Sequence, residues 1–225
     1  YLDTGWVSSD STIELPNSSS IWLADKNTIG VNEPVKLTWT SDQNITFEKI
    51  ITLDENYLFS VDQRVINNSG LSFDLYPYGL SKRQGIPEMQ NFFILHEGPL
   101  SITDGVLEEY DYDDLKDDKK IKHSSVGGWI GMTDKYWQTA IIPNQNEPVQ
   151  QTYSYSFVDN IDNFQTDIVG ERIAVSNNAS ISHNFKIFAG PKIVNIIDKY
   201  MEEYGFDGFD RSVDFGWFYF LFSNF

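Results

Sequence analysis

The residues best equipped for chemistry lie in "DYDDLKDD", which sets Asp111, Asp113, Asp114, Asp117 and Asp118 close together. Carboxylates at that density suggest calcium. The stretch lacks the glycine at the sharp turn and the closing glutamate of an EF-hand loop, so the run from Leu107 to Lys120 is expected as an exposed loop or a solvated strand pair. The three histidines, His96, His123 and His183, are scattered, and none has a second ligand two or four residues away, which reads as turn or surface histidine rather than a metal site. "HEG" at His96 is not HExxH, and "GGWIG" from Gly127 to Gly131 carries no Lys-Ser/Thr and opens no helix, so neither zinc nor phosphate chemistry follows. With 33 Asp and Glu a glycosidase-like carboxylate pair stays open. There is no cysteine, which removes disulfides, thiolate metal sites and thiol nucleophiles. No catalytic residue, metal or cofactor is assigned.

A net charge of -17 and a pI near 4.3 exclude nucleic acid as a partner and exclude a general attraction to anionic lipid, because both need clustered Lys and Arg. The acidity reads as solubility. Four Asn-x-Ser/Thr triplets, at Asn17, Asn44, Asn67 and Asn178, are what an Asn- and Ser-rich chain produces by chance. No signal peptide opens the chain at Tyr1, which looks like a cut start. The greasiest stretch, Phe215 to Phe225, would reach about 16 Å as a helix against a hydrocarbon core of about 30 Å, so nothing here is expected to span a bilayer.

The elements that must position these residues are mostly strands. Val35 to Thr40, Ile45 to Leu53, Tyr57 to Asn67, Leu71 to Leu80 and Thr152 to Val158 alternate with period two and favour β-branched and aromatic residues, as half-buried antiparallel strands do. "DEN" at Asp54 and "NNSG" at Asn67 are turn chemistry, and turns every ten residues or so point to a sandwich. One segment has a helical period: Ile193, Ile196, Ile197, Tyr200, Met201 and Tyr204 form an apolar stripe, with Pro191 suited to the first turn and Gly205 to the stop. Asp207-Gly208 and Arg211 to Asp214 read as a polar hinge after that helix.

Two motifs carry a resemblance. "HSSVGGWIGMTDKYWQTAIIPNQNE", with Ser124, Ser125, Gly127, Gly128, Trp129, Tyr136, Trp137, Ala140, Ile142 and Pro143, resembles a signature of the large periplasmic domain of the bacterial YidC membrane protein insertases. "KIFAGPKIVNIIDKY" followed by "SVDFGWFYFLF" resembles that family's Gly-Pro at a helix start, here Gly190 and Pro191, and its aromatic segment ahead of the second transmembrane helix. The fold implied is mainly β, a galactose mutarotase-like β-supersandwich of two antiparallel sheets with a C-terminal amphipathic helix. It divides as 1–189 for the sandwich, with its N-terminal strands missing, 190–214 for the helix and hinge, and 215–225 for a membrane-interface segment.

By the resemblance, the function is that of a non-enzymatic periplasmic domain of an inner-membrane protein insertase and chaperone, a partner- or client-interaction module. It implies contact with Sec translocon accessory subunits and nascent membrane proteins, for which the sandwich offers a cleft. The family's first transmembrane anchor would precede Tyr1 and its five-helix insertase core would follow Phe225, so no insertase activity is expected of this stretch alone. Phe215, Trp217, Phe218, Tyr219, Phe220, Leu221 and Phe222 would then lie at the membrane interface, where Trp and Tyr prefer the headgroup zone, with the filling of a core cleft as the lesser alternative. Gly127, Gly128, Trp129, Pro143, Gly190 and Pro191 are structural by this reading, with Trp129 expected between the sheets because the two glycines let a ring or backbone pack closely. A carbohydrate-binding or carbohydrate-active supersandwich is the alternative, on fold analogy alone.

Overall fold

Alternation of apolar and polar residues becomes, in the computed structural model, two antiparallel sheets; the described residues are 1–87 and 96–213. In chain order the strands are β1 (Leu2–Val7), β2 (Leu23–Ala24), β3 (Val35–Thr40), β4 (Ile45–Leu53), β5 (Leu58–Asn67), β6 (Phe73–Gln84), β7 (Gly98–Thr103) and β8 (Val106–Glu109). After helix α1 (Tyr112–Asp118) come β9 (Lys120–Val126), β10 (Trp129–Thr133), β11 (Trp137–Ile142), β12 (Pro148–Val158), β13 (Ile161–Gly170), β14 (Ile173–Val175) and β15 (Ser180–Pro191). Helix α2 (Val194–Tyr204) and a 3₁₀ turn (Phe209–Ser212) follow. One sheet runs β1-β6-β13-β12-β9 with β14 also on β6; the other runs β2-β3-β4-β5-β15-β11-β10-β7-β8.

The β4–β5 reversal is held as the sequence predicts, with Asp54 Oδ1 accepting from the amides of Asn56 and Leu58, each at 2.8 Å. At the next turn Asn67 is fully buried. Its Nδ2 donates to the carbonyls of Leu71 at 2.8 Å and Ser176 at 3.0 Å, so this triplet's amide is engaged in the core rather than offered to solvent.

Because side chains alternate along a strand, the nine-stranded sheet has an inner face toward the other sheet and an outer face. Both are buried. Inside, Ile130, Met132, Ile141 and Phe185 meet Tyr153, Phe164 and Ile168 of the smaller sheet, and Phe47 and Val65 meet Trp6, Phe73 and Leu75. Outside, Leu58, Leu100, Ile102, Ala140, Ile142 and Phe188 are roofed by Ile197 and Tyr200 of α2 and by Phe206 and Phe209.

Four expectations change here. Trp129 is fully buried, but on the outer face: its neighbour Ile130 takes the inner side, and the indole packs edge-on against Phe209 with Nε1 donating to the Asp207 carbonyl at 3.1 Å. The segment after α2 is anchored rather than a free hinge: Asp207 and Arg211 are exposed, but Phe206 and Phe209 between them close over that indole and Arg211 Nη1 donates to the Gly105 carbonyl. Pro191 ends β15 opposite Trp137 rather than opening the helix. The chain leaves the sheet only after the Lys192 amide donates to the Tyr136 carbonyl, so Ile193 becomes the N-cap. Part of the acidic run is helix α1, because Asp111 and Asp114 make a reciprocal capping box and Tyr112 and Leu115, three apart, both reach the core. Gly205 stops α2 as expected, in the left-handed region with its N–H on the Met201 carbonyl. The aromatic segment 215–225 lies outside the described residues.

Candidate functional site

Register aligns the inner face of β3, β4, β5 and β15 into transverse rows. Trp39 pairs with Phe47, Phe47 with Val65 and Val65 with Ile181, an apolar row. Next to it Leu37 pairs with Lys49, Lys49 with Gln63 and Gln63 with His183, which makes a polar row across the sheet between its apolar core clusters. Beyond it Val35, Ile51, Val61 and Phe185 line up, and then Phe59, Ile187 and Ile141.

Each polar member is held differently. The Lys49 side chain is 15% exposed; its Nζ donates to the Thr4 carbonyl, lies 3.4 Å from Asp3 Oδ1 and sits 5.2 Å over the Trp22 ring. Burial pushes its pKa down, and the Asp3 charge opposes that. Asp3 is anchored by Tyr78, whose hydroxyl donates to Oδ2 at 3.1 Å; burial, then the Asp3 charge, pushes the Tyr78 phenol up. Gln63 is fully buried, and neither amide atom has a partner. His183 donates through Nε2 to Glu147 Oε2 at 3.0 Å while its buried Nδ1 has no partner. Burial holds its pKa below the ordinary value, with Glu147 pulling the other way. Trp6 and Phe185 pack around the ring.

Where the two sheets part, the Leu37, Lys49, Val35, Ile51, Val61, Phe59 and Ile187 members of these rows line a groove of about 770 Å³, while Gln63 and His183 do not reach it. Val35, Leu37, Ile51, Phe59, Val61 and Ile187 make its apolar floor, Leu2 to Thr4 one wall, and Lys26 to Ile29 a lip. Lys49 is the ammonium facing it from the floor. The groove lies beside β2, the last strand of its sheet among the described residues, where Ile21 and Leu23 are 84% and 74% exposed. Its size falls in the range of about 300 to 1,000 Å³ common for ligand sites. None of this was singled out from sequence. Lys49 and Gln63 are ordinary polar residues on amphipathic strands until the pairing sets them side by side.

The residues the sequence did single out lie elsewhere. Gly127 and Gly128 have φ of 66° and 72°; a Cβ on Gly128 would stand 2.1 Å from the Ile102 carbonyl oxygen. Pro143 is buried at the end of β11, and Gly190 lies against Tyr57, whose Cβ a side chain there would meet at 2.6 Å. These positions bring β10, β11 and β15 under α2. The seven aromatic-tail positions, Phe215 to Phe222, lie outside the described residues. His96 bonds the Pro99 carbonyl at 3.1 Å and His123 the Tyr110 hydroxyl at 2.8 Å, both outside the groove. Among the described residues no group of three or more His, Asp or Glu is placed to hold a metal.

A sugar site would need a histidine and a carboxylate meeting in one cleft. His183 and Glu147 do meet, but the His183 side chain is only 6% exposed and neither residue lines the groove, whose one carboxylate among the described residues is Asp3.

The sequence matches the family model for the YidC periplasmic domain over residues 1–225. It is 38% identical over 222 residues to the membrane protein insertase YidC of Rickettsia canadensis (strain McKiel) and, equally, to that of Rickettsia bellii (strain OSU 85-389). Each alignment covers 98% of this chain and 40% of the relative, so the chain spans two fifths of the length of the curated relatives it matches. Among solved structures it is similar to a galactose mutarotase related enzyme from Lactobacillus acidophilus, with a TM-score of 0.52 over 75% of this chain and 70% of that one. At 10% identity that likeness is one of fold.

Proposed function

The chain belongs to the YidC periplasmic domain family, and from that premise we propose that it is a non-catalytic module that receives apolar segments of nascent membrane proteins for an inner-membrane insertase. The observation that carries the reading is the groove, with its apolar floor opening beside a sheet edge that exposes Ile21 and Leu23. An extended segment can hydrogen-bond along such an edge and set alternate side chains on the floor, so that neither its backbone nor its apolar groups stay in water. The reading extends to contacts with accessory subunits of the Sec translocon. It extends also to segment 215–225, with Phe215, Trp217, Phe218, Tyr219, Phe220, Leu221 and Phe222 at the membrane interface. Among the described residues no helix is long and apolar enough to cross a membrane.

The test is binding of a fluorescent, amidated Leu-rich peptide to the purified domain. Leu37→Asp places a charge on the floor and should weaken binding by about tenfold, ~1.4 kcal/mol, while the melting temperature holds. A peptide that fails to bind, or that binds the variant equally well, sinks the client reading.

A further inference from the structure

The floor of the groove and the edge beside it belong to different strands. Val35, Leu37, Ile51, Val61, Phe59 and Ile187 lie on β3, β4, β5 and β15, whereas the last strand of the sheet among the described residues is β2. Neighbouring strands stand about 4.8 Å apart, so a segment paired with β2 would lie about two spacings from β3 and leave Val35 and Leu37 uncovered. Only a strand in the place of β2 borders the floor. β2 fills that place poorly. It has two residues against the six of β3, and it pairs Leu23 with Thr38 and Ala24 with Leu37. Asp25 adds two bonds, its N–H donating to the Lys36 carbonyl at 3.0 Å and its Oδ1 accepting from the Lys36 amide at 2.8 Å. Lys49 Nζ lies 5.2 Å over the Trp22 ring. Every residue from Leu23 to Ile29 is exposed, although this run includes both the edge strand and the lip of the groove. Few buried contacts and solvent-exposed backbone bonds place a segment at the low end of local stability. The ends beyond it are fixed: Ile13 is buried, and the Asn32 N–H donates to the Leu53 carbonyl at 2.7 Å.

We propose that Ile21 to Ile29 is a displaceable strap, which covers the edge of β3 in the free protein and gives up the place of β2 to an extended apolar segment when one binds. The inference rests on the client reading and adds how that site is closed. β3 reads Val-Lys-Leu-Thr-Trp-Thr, rich in β-branched and aromatic residues, and such an edge left bare invites pairing with any other chain. A short strap with few bonds blocks that pairing and is still readily lifted. A six-residue strand in its place would pair along all of β3 and set alternate side chains beside Val35 and Leu37 on the groove side. Lifting the strap also takes Lys26 to Ile29 away from the mouth of the groove. The fraction of molecules with the strap lifted then scales the apparent affinity for the segment.

The chain has no cysteine, so one engineered disulfide holds the strap down without competing thiols. Leu23 and Thr38 are opposed across the strand pair and do not line the groove, and opposed Cα atoms about 5 Å apart fall within the span of a disulfide. Fluorescence titration of Leu23→Cys/Thr38→Cys with the labelled, amidated Leu-rich peptide should show binding at least about tenfold weaker in the oxidised form than in the parent, with reductant restoring it. Asp25→Ala, which deletes an exposed side chain's bond to the Lys36 amide, should tighten peptide binding several-fold and speed amide exchange from Ala24 to Ile29. Should the double-cysteine variant fail to fold, the Asp25→Ala arm decides alone. A segment that pairs with β2 itself would bind the oxidised form as well as the parent, or better. That result, or an affinity unchanged in Asp25→Ala, overturns the displacement and leaves the client reading standing. A parent domain that binds no peptide sinks the client reading and the strap with it.

Discussion

The two faces of the nine-stranded sheet use one backbone in opposite ways. On the outer face Trp129, Phe188, Ile197, Tyr200, Phe206 and Phe209 form an apolar layer in which the Trp129 N–H finds the Asp207 carbonyl. The inner face carries Lys49, Gln63 and His183 in one row, leaves the Gln63 amide and His183 Nδ1 unpartnered, and opens into the groove. Around Trp129 the closed face is a packed core, where removing atoms leaves a cavity, and its one unpartnered amide among the described residues, Gln138, sits at the far end of β11. Along the polar row of the other, complementarity is incomplete, and unsatisfied buried polar groups of this kind mark where a protein has kept something other than stability.

That contrast breaks first at Trp129. Trp129→Ala removes the largest side chain on the closed face and should cost about 3 to 5 kcal/mol in urea unfolding. A loss under about 1 kcal/mol would mean that the face is far more plastic than its packing implies. Next in size is an effect of pH. The folded pKa of His183 lies below its ordinary value of 6.5, so between the two the unfolded chain binds the extra proton. The stability contributed by neutral His183 is therefore full above the ordinary value and is lost as pH falls through the folded one. His183→Gln should flatten the decline in stability between about pH 7 and pH 5; an identical slope in both proteins would place the acid sensitivity elsewhere.

A smaller effect is expected at Gln63. Gln63→Leu removes an amide that has no partner, and its stability should stay within about 1 kcal/mol of the parent or rise. A large loss would show that the amide is satisfied, for example by a buried water, and that the polar row is closed like the outer core. The smallest change in stability belongs to deletion of 215–225. The outer core closes through Phe209, and Val213 packs against it, so the melting temperature should move by less than about 2 °C. Flotation with neutral vesicles should be lost in the same deletion; flotation that persists would put the membrane contact on the sandwich itself.

Much of this arrangement was legible in the sequence. Val35–Thr40 and Ile45–Leu53 are strands over the same residues that alternate, and α2 ends at Gly205, because period and stop are local properties. The YidC family likewise shows in contiguous motifs around Gly127 to Trp129 and Lys186 to Tyr200. Helix α1 was hidden because its acidic residues outnumber Tyr112 and Leu115, and a charge run reads as solvated until its two apolar residues are seen to share a face.

Alternation separates Trp129 from Ile130 but does not say which side faces the other sheet, since on a sheet buried on both faces both sides are apolar. Only the arrival of α2 and Phe209 decided it. The groove depends still more on long-range pairing. Its floor joins Val35 and Lys49 of neighbouring strands to Ile187 of β15, far off in sequence, and a slip of one residue in the β5–β15 pairing would turn Ile187 to the opposite face. What each strand is, and which of its residues share a side, was determined by the chain locally. Which residues of different strands stand together, and what covers them, was decided by register and by the packing of distant segments, because those contacts form only when the whole domain closes.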